Sequence, residues 1–287
     1  MTKTVLVAGA TGALGRPVVA SLAARGWRVR ALTRDATKAV AGAAEVVAGD
    51  ALVPSSLAGV MEGCDAVFSC LGASIDPSPA RGWRSYAAVD VPANRALIAA
   101  ARSAGVRRFV YVSAHHDDAM KRTLQYVAAH EAVVDTLRAS GLSYGVLRPT
   151  GFFSAFGMLL DLARQGPVPL MGDGRAVTNP LHEADLAEAC ADAVEGVGPD
   201  EVSLGGPEVL SRRDAVDLAF AALGKPPRVV SMPAGLVRAL CWPLRLVLPR
   251  TAHITEFVAH VSTHDCVAPA RGTHTLAAYL RQRAAGG

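Results

Sequence analysis

One stretch constrains this chain more than any other: Gly9-Ala10-Thr11-Gly12-Ala13-Leu14-Gly15, placed directly after the apolar run Thr4–Ala8. An unbroken apolar run of that length is the pattern of a parallel strand buried on both faces. The glycines have the spacing GxxGxxG. In such a turn one glycine permits the tight bend and another lets the backbone approach a pyrophosphate. The third lets the next helix pack closely on the strand. That helix, about Leu14 to Arg25, carries Leu14, Val18 and Leu22 at i, i+4 and i+8. Its free N-terminal N–H groups and positive dipole end suit phosphate. Gly9, Thr11, Gly12, Ala13, Leu14 and Gly15 are therefore candidate dinucleotide contacts.

The same strand-then-helix rhythm continues. Strands are expected at Val29–Leu32, Glu45–Ala48, Asp65–Cys70, Arg108–Val112 and Tyr144–Leu147, with helices at about Tyr86–Ser103 and Leu124–Ala139. Such an order implies right-handed crossovers and a doubly wound parallel sheet, an α/β fold of the Rossmann type. After Pro149 the rhythm changes. Glycine and proline recur between helical patterns near His182–Val194 and Ser211–Leu223, and the tail from Pro233 reads as helical, broken at Pro243 and Pro249. We expect residues 1–150 to form the dinucleotide-binding core. Residues 151–287 should add a last strand or two and a small, mainly helical substrate lobe interleaved with that core.

Composition narrows the class. Hydrophobic residues make up 51% of the 287, charged residues 19% and aromatics 5%, so a large core of Ala, Val and Leu is expected. The formal net charge is only +4 and the basic residues are scattered, which leaves no nucleic-acid footprint. The cysteines, Cys64, Cys70, Cys190, Cys241 and Cys266, are odd in number and form no CxxC pair, as in reduced thiols rather than a disulfide framework or metal site. No cleavable leader is recognisable, and Arg238 and Arg245 interrupt the nearest apolar stretch, Met232–Pro249. These features lead us to expect a cytoplasmic protein.

The second strand's end bears on the cofactor. A site for NAD places an acid there to accept from the ribose 2′-hydroxyl. Here Thr33 takes that place and Arg34 follows, a residue able to grip a 2′-phosphate with two N–H groups. Lys38 and Arg16 can add charge, whereas Asp35 argues the other way unless it caps a following helix. The balance favours NADP(H). Asp50, after the third strand, can meet the adenine or serve a turn. Leu71-Gly72, after the fourth, suits close passage along the cofactor.

With these pieces in place the chain resembles the atypical short-chain dehydrogenase/reductases, in particular their NmrA-like group. The matching segments are GATGALG at 9–15, ALTR at 31–34, AGVRRFVYVSA at 104–114, ASGLSYGVLRPTGFF at 139–153, GDGR at 172–175, NPLHEADLAEAC at 179–190 and GGPEVLS at 205–211. The second half is also similar to divinyl chlorophyllide reductases and to thylakoid assembly factors of that superfamily. The resemblance implies the fold and the cofactor, and places Pro149, Thr150 and Gly151 near the nicotinamide. It further implies a Ser and a Tyr-xxx-Lys pair as catalytic groups. Ser113 matches the serine and Tyr126 the tyrosine, but His130 stands where the lysine belongs.

That departure leaves several readings. Tyr126 and His130 are four apart and share a helix face, for proton transfer or merely for packing. His115 and His116 are candidate proton donors or substrate contacts in a polar loop, since neighbouring residues rarely converge on one metal. His182 and Asp185 read as a helix start. Phe152 and Phe153 open the most aromatic stretch, which with Leu236, Leu240 and Trp242 either walls an apolar substrate pocket or forms the lobe's core. The tail helix with Arg238 and Arg245 can instead lie on a membrane or a partner. The expected function is an NADPH-dependent oxidoreductase acting on a small or medium hydrophobic molecule. A cofactor-binding redox sensor or assembly protein without turnover, and an epimerase or lyase with permanently bound cofactor, are the alternatives. Substrate, direction and oligomeric state are open.

Overall fold

The computed structural model describes residues 2–73, 75 and 83–286. In chain order come β1 (Thr4–Ala8), α1 (Gly15–Ala24), β2 (Arg28–Thr33), β3 (Glu45–Ala48), β4 (Ala66–Ser69), α2 (Tyr86–Ser103) and β5 (Arg108–Val112). Next are α3 (Asp118–Thr123), α4 (Gln125–Arg138), β6 (Ser143–Pro149), α5 (Phe153–Gln165), β7 (Val168–Met171), β8 (Val177–Thr178) and α6 (Glu183–Glu195). The remainder is β9 (Glu201–Leu204), β10 (Leu210–Ser211), α7 (Arg212–Ala222), β11 (Val229–Met232), α8 (Ala234–Val247), α9 (Pro249–Val261) and α10 (Leu276–Ala285).

The main sheet has seven strands in the order β3-β2-β1-β4-β5-β6-β9. All its pairings are parallel. All five residues of β1 are buried, as a strand covered by helices on both faces requires. One face packs Val5, Val7 and Phe68 against α1 and α6, with Val18, Leu22, Leu186 and Cys190. The other packs Leu6, Val67 and Tyr111 against α2 and α4, with Leu97, Val133 and Leu137. Strand order reverses between β1 and β4, so the crevice at their C-terminal ends is where such a sheet receives a ligand.

The second half returns to this core through α6 on one face and β9 at the edge, and otherwise builds a lobe. Phe153 and Leu160 of α5, Ala215 and Ala219 of α7, and Leu276 and Leu280 of α10 form its core. Two small sheets, β8 with β10 and β7 with β11, flank it. The expected break at Pro243 does not occur: this proline lies inside α8. Its ring costs one backbone bond, on a helix side already open to solvent. Pro249 instead takes the first position of α9, where its missing N–H costs nothing. None of the described helices is long and apolar enough to cross a membrane.

Candidate functional site

The glycine loop is built for close approach. Gly9 has φ +89, a left-handed conformation, and Gly12 N donates to Gly9 O at 2.9 Å. A Cβ on Gly15 would lie 2.0 Å from Gly9 O, so only glycine lets α1 start against the loop. No side chain caps α1, and its first turn holds no acid. The N–H groups of Thr11, Ala13 and Leu14 have no partner among the described residues. Arg16, Arg34 and Lys38 are exposed, and none makes an ion pair there. Free N–H donors and unspent cations around a cradle that only glycine can line fit the pyrophosphate and 2′-phosphate of a dinucleotide.

Neighbouring loops complete the crevice. Asp35 does not cap a helix: its carboxylate accepts from Thr37 N at 3.1 Å and Thr37 Oγ1 at 2.6 Å, closing a turn. Thr33 Oγ1 donates to Asp35 O at 2.7 Å. Asp50 likewise accepts from Leu52 N at 2.9 Å, so one carboxylate oxygen serves its own turn. Leu71 and Gly72 are held from α2, where Asn94 Nδ2 donates to Leu71 O at 3.0 Å and Asp90 accepts from Ala73 N at 2.7 Å. Asp90 is 1% exposed, and burial raises its pKa to about 7.

Tyr126 and His130 meet on one face of α4, their rings 4.7 Å apart. Tyr126 also touches Tyr86 of α2 at 4.8 Å and Phe257 of α9 at 4.6 Å. Its hydroxyl has no partner among the described residues and is not sealed off. Burial raises the phenol's pKa, which keeps its proton in place at neutral pH. Burial also lowers His130 to about 4, so the imidazole is neutral. Its Nδ1 shares a hydrogen bond of 2.7 Å with the Tyr111 hydroxyl. A neutral ring cannot supply the positive charge of a lysine in that place.

Ser113 is committed elsewhere. Its Oγ donates to Glu131 Oε1 at 3.0 Å, and Arg148 grips both oxygens of that carboxylate at 3.0 Å. Arg148 Nη1 also bonds Glu201 at 2.8 Å. His116 Nε2 stands 3.1 Å from Glu131 Oε1, so this histidine faces the network rather than open solvent. Hydrogen bonds from His116 and Arg148 and the charge of Arg148 hold the Glu131 pKa far down against the opposing effect of burial. His115 N donates to Pro149 O at 3.0 Å, while burial lowers the pKa of its ring. The sequence reading missed Glu131, Arg148 and Asp90. Arg148, a charge between Leu147 and Pro149 in an apolar strand, was the available signal, because a buried cation demands a partner.

Pro149, Thr150 and Gly151 run along the end of the sheet. Thr150 Oγ1 donates to Asn179 O at 2.6 Å, and Leu181 N donates to Gly151 O at 2.9 Å. The aromatic stretch divides differently from the expectation. Phe152 bridges to Leu181 and packs on the sheet's core, and Phe153, 1% exposed, enters the lobe's core. Phe156 instead faces the sheet end: a Cβ on Gly151 would lie 3.5 Å from its ring. Phe153, Phe156 and Leu160 share one face of α5, and Phe156, at the edge of the lobe's core, is the one that also reaches the sheet end. Leu236, Leu240 and Trp242 do not join this wall. They are 57%, 59% and 72% exposed on α8, which packs chiefly on α9. His182 caps α6, accepting from Ala184 N at 3.0 Å.

A profile of an NAD(P)H-binding family matches residues 9–196. A chloroplastic divinyl chlorophyllide a 8-vinyl-reductase of Zea mays is 31% identical over 264 residues, which take in 84% of this chain and 64% of the maize protein. The chain thus spans slightly less than two thirds of that relative's length. A 3-diazoavenalumate denitrifying reductase of Streptomyces is 33% identical over 221 residues, 67% of this chain and 72% of that one. Among solved structures, an NADPH-dependent quinone oxidoreductase from Escherichia coli, complexed with NADPH, superposes with a TM-score of 0.74. That match covers 97% of this chain and 99% of the other at 20% identity, a likeness of fold.

Proposed function

The chain belongs to the NAD(P)H-binding family whose profile spans residues 9–196, and we propose that it is an NADPH-dependent reductase of a small or medium hydrophobic molecule, of the atypical short-chain dehydrogenase/reductase kind. The observation that carries this reading is the Tyr126 hydroxyl, unpartnered in a wall of rings from Tyr86 and Phe257. Bound in the glycine cradle, NADPH would supply the hydride. Gly9, Gly12 and Gly15 would admit the pyrophosphate, and Arg34 with Lys38 would meet the 2′-phosphate. Tyr126 would then give its proton from Oη to the reduced substrate. Its raised pKa keeps the phenol protonated and neutral, so the proton moves only to a strongly basic site such as the reduced substrate. The neutral His130, bonded to Tyr111, positions the tyrosine ring rather than acidifying it. The apolar rings exclude water and select an apolar acceptor. The names of the relatives, a chlorophyllide vinyl-reductase and a diazo-compound reductase, are in keeping with acceptors of that kind.

Calorimetric titration with NADPH and NADH tests the cofactor half of this reading. NADPH is expected to bind at least tenfold tighter. Arg34→Ala should remove most of that preference, because a charge-assisted contact contributes about 1.5–3 kcal/mol. Equal affinities in the parent chain would refute it. A second reading, a cofactor-binding sensor without turnover, is favoured by the engagement of Ser113 with Glu131 and by histidine in the lysine position. Tight discrimination between NADPH and NADP+, with no oxidation of NADPH by a panel of quinones and enones, would support the sensor.

A further inference from the structure

Arg212 opens α7, and its guanidinium stands between two other helices. Its Nε donates to Val261 O of α9 at 2.9 Å, and its Cζ lies 5.9 Å from the centre of the Phe156 ring on α5. No carboxylate pairs with it, and Nη1 and Nη2 have no partner among the described residues. Asp265, the acid that it feels through space, is turned to Val177 N at 2.9 Å. Other half-buried arginines are neutralised: Arg148 by Glu131 and Glu201, Arg30 by Glu45. Burial lowers the pKa of Arg212, as expected for a cation short of both water and counter-charge.

Its neighbours border the crevice at the end of the sheet. Phe156 lies against Gly151. Val261 is one helical turn from Phe257, the ring that touches Tyr126. Cys266, which also feels Arg212, has its thiol 3.7 Å from Thr150 O. Phe156 and Cys266 thus link Arg212 to Gly151 and Thr150, and Val261 links it to the helix whose Phe257 touches Tyr126.

We propose that Arg212 is a specificity-determining residue that binds a carboxylate carried by the hydrophobic substrate. This rests on the reductase reading of the same site and adds a charge to the substrate class. The two terminal nitrogens offer the fork that a carboxylate accepts in two bonds, and Phe156 holds the guanidinium plane. An arginine serving only to latch α7 to α9 would need its Nε alone.

The test is a calorimetric titration of the full chain, with and without NADPH, using 2-naphthoate and its neutral counterpart 2-naphthamide. The parent, Arg212→Gln and Arg212→Lys are compared. The parent is expected to prefer naphthoate by about tenfold to a hundredfold, the size of a charge-assisted contact. R212Q should lose that preference and R212K keep part of it, with NADPH affinity the same in all three. A parent that binds both probes alike or neither, or an R212Q variant that keeps the preference, overturns the proposal. Failure of the parent to bind NADPH would count against the reductase reading instead, and the cofactor-free titrations would still report on Arg212.

Discussion

Tyr126 and His130 share one face of α4, yet burial acts on them in opposite senses, raising the phenol's pKa and lowering the imidazole's to about 4. Near neutrality the tyrosine therefore keeps its proton and the imidazole is neutral, with a single N–H. Tyr126→Phe is expected to lower kcat by about a hundredfold, the usual size of a positioned proton donor, with NADPH affinity unchanged. Unaltered steady-state kinetics would remove the tyrosine from the chemistry. Asp90, whose charge acts through space on Tyr126, has its folded pKa raised by burial to about 7 from an ordinary value near ~4. Its neutral form is the stabilising one, so its contribution is fully present below pH ~4 and is lost as pH rises toward 7. Asp90→Asn keeps the acceptor for Ala73 N and cannot ionise. Denaturant titrations should show the stability of this variant, relative to the parent, rising by at most about 1.4 kcal/mol per pH unit across that window and levelling above it. A difference independent of pH would mean that Asp90 is ionised in the folded chain throughout.

At the scale of elements, one buried carboxylate joins three of them. Glu131 of α4 takes a hydrogen bond from Ser113 at the end of β5 and two from Arg148 of β6. That arrangement fixes the helix that carries Tyr126 against the strands that carry the crevice. Glu131→Gln leaves a buried cation with a single partner, Glu201, and is expected to destabilise the fold by about 3 kcal/mol. A loss below ~1 kcal/mol in urea unfolding would show that the network is dispensable. The helix pattern of the tail was legible, but the partners of its helices were not. The apolar period of α5 reads the same whether Phe153 or Phe156 faces the ligand, because period alone does not say which neighbour an apolar stripe will meet.

For the whole molecule, the crevice lies between a sheet and a lobe, so a ligand there should tie the two together. NADPH at a hundredfold above its dissociation constant is expected to add about 2.7 kcal/mol of stability, seen as a rise in Tm larger than NADH gives at the same concentration. Equal shifts would remove the basis for NADP(H) preference at Arg34. The sequence by itself determined the doubly wound sheet, because each strand and each helix of the first half declares its period and its glycine punctuation locally, and right-handed crossovers leave one order for them. It determined the cofactor class for the same reason, since the whole GxxGxxG loop is contiguous. Only the tertiary structure decided what the charged and aromatic side chains do. Ser113 and Arg148 lie 18 and 17 residues from Glu131 along the chain, and Arg212 meets Val261 across 49. Whether a charge is paired or left for a ligand depends on which distant carboxylate the packing brings to it, and no local pattern records that.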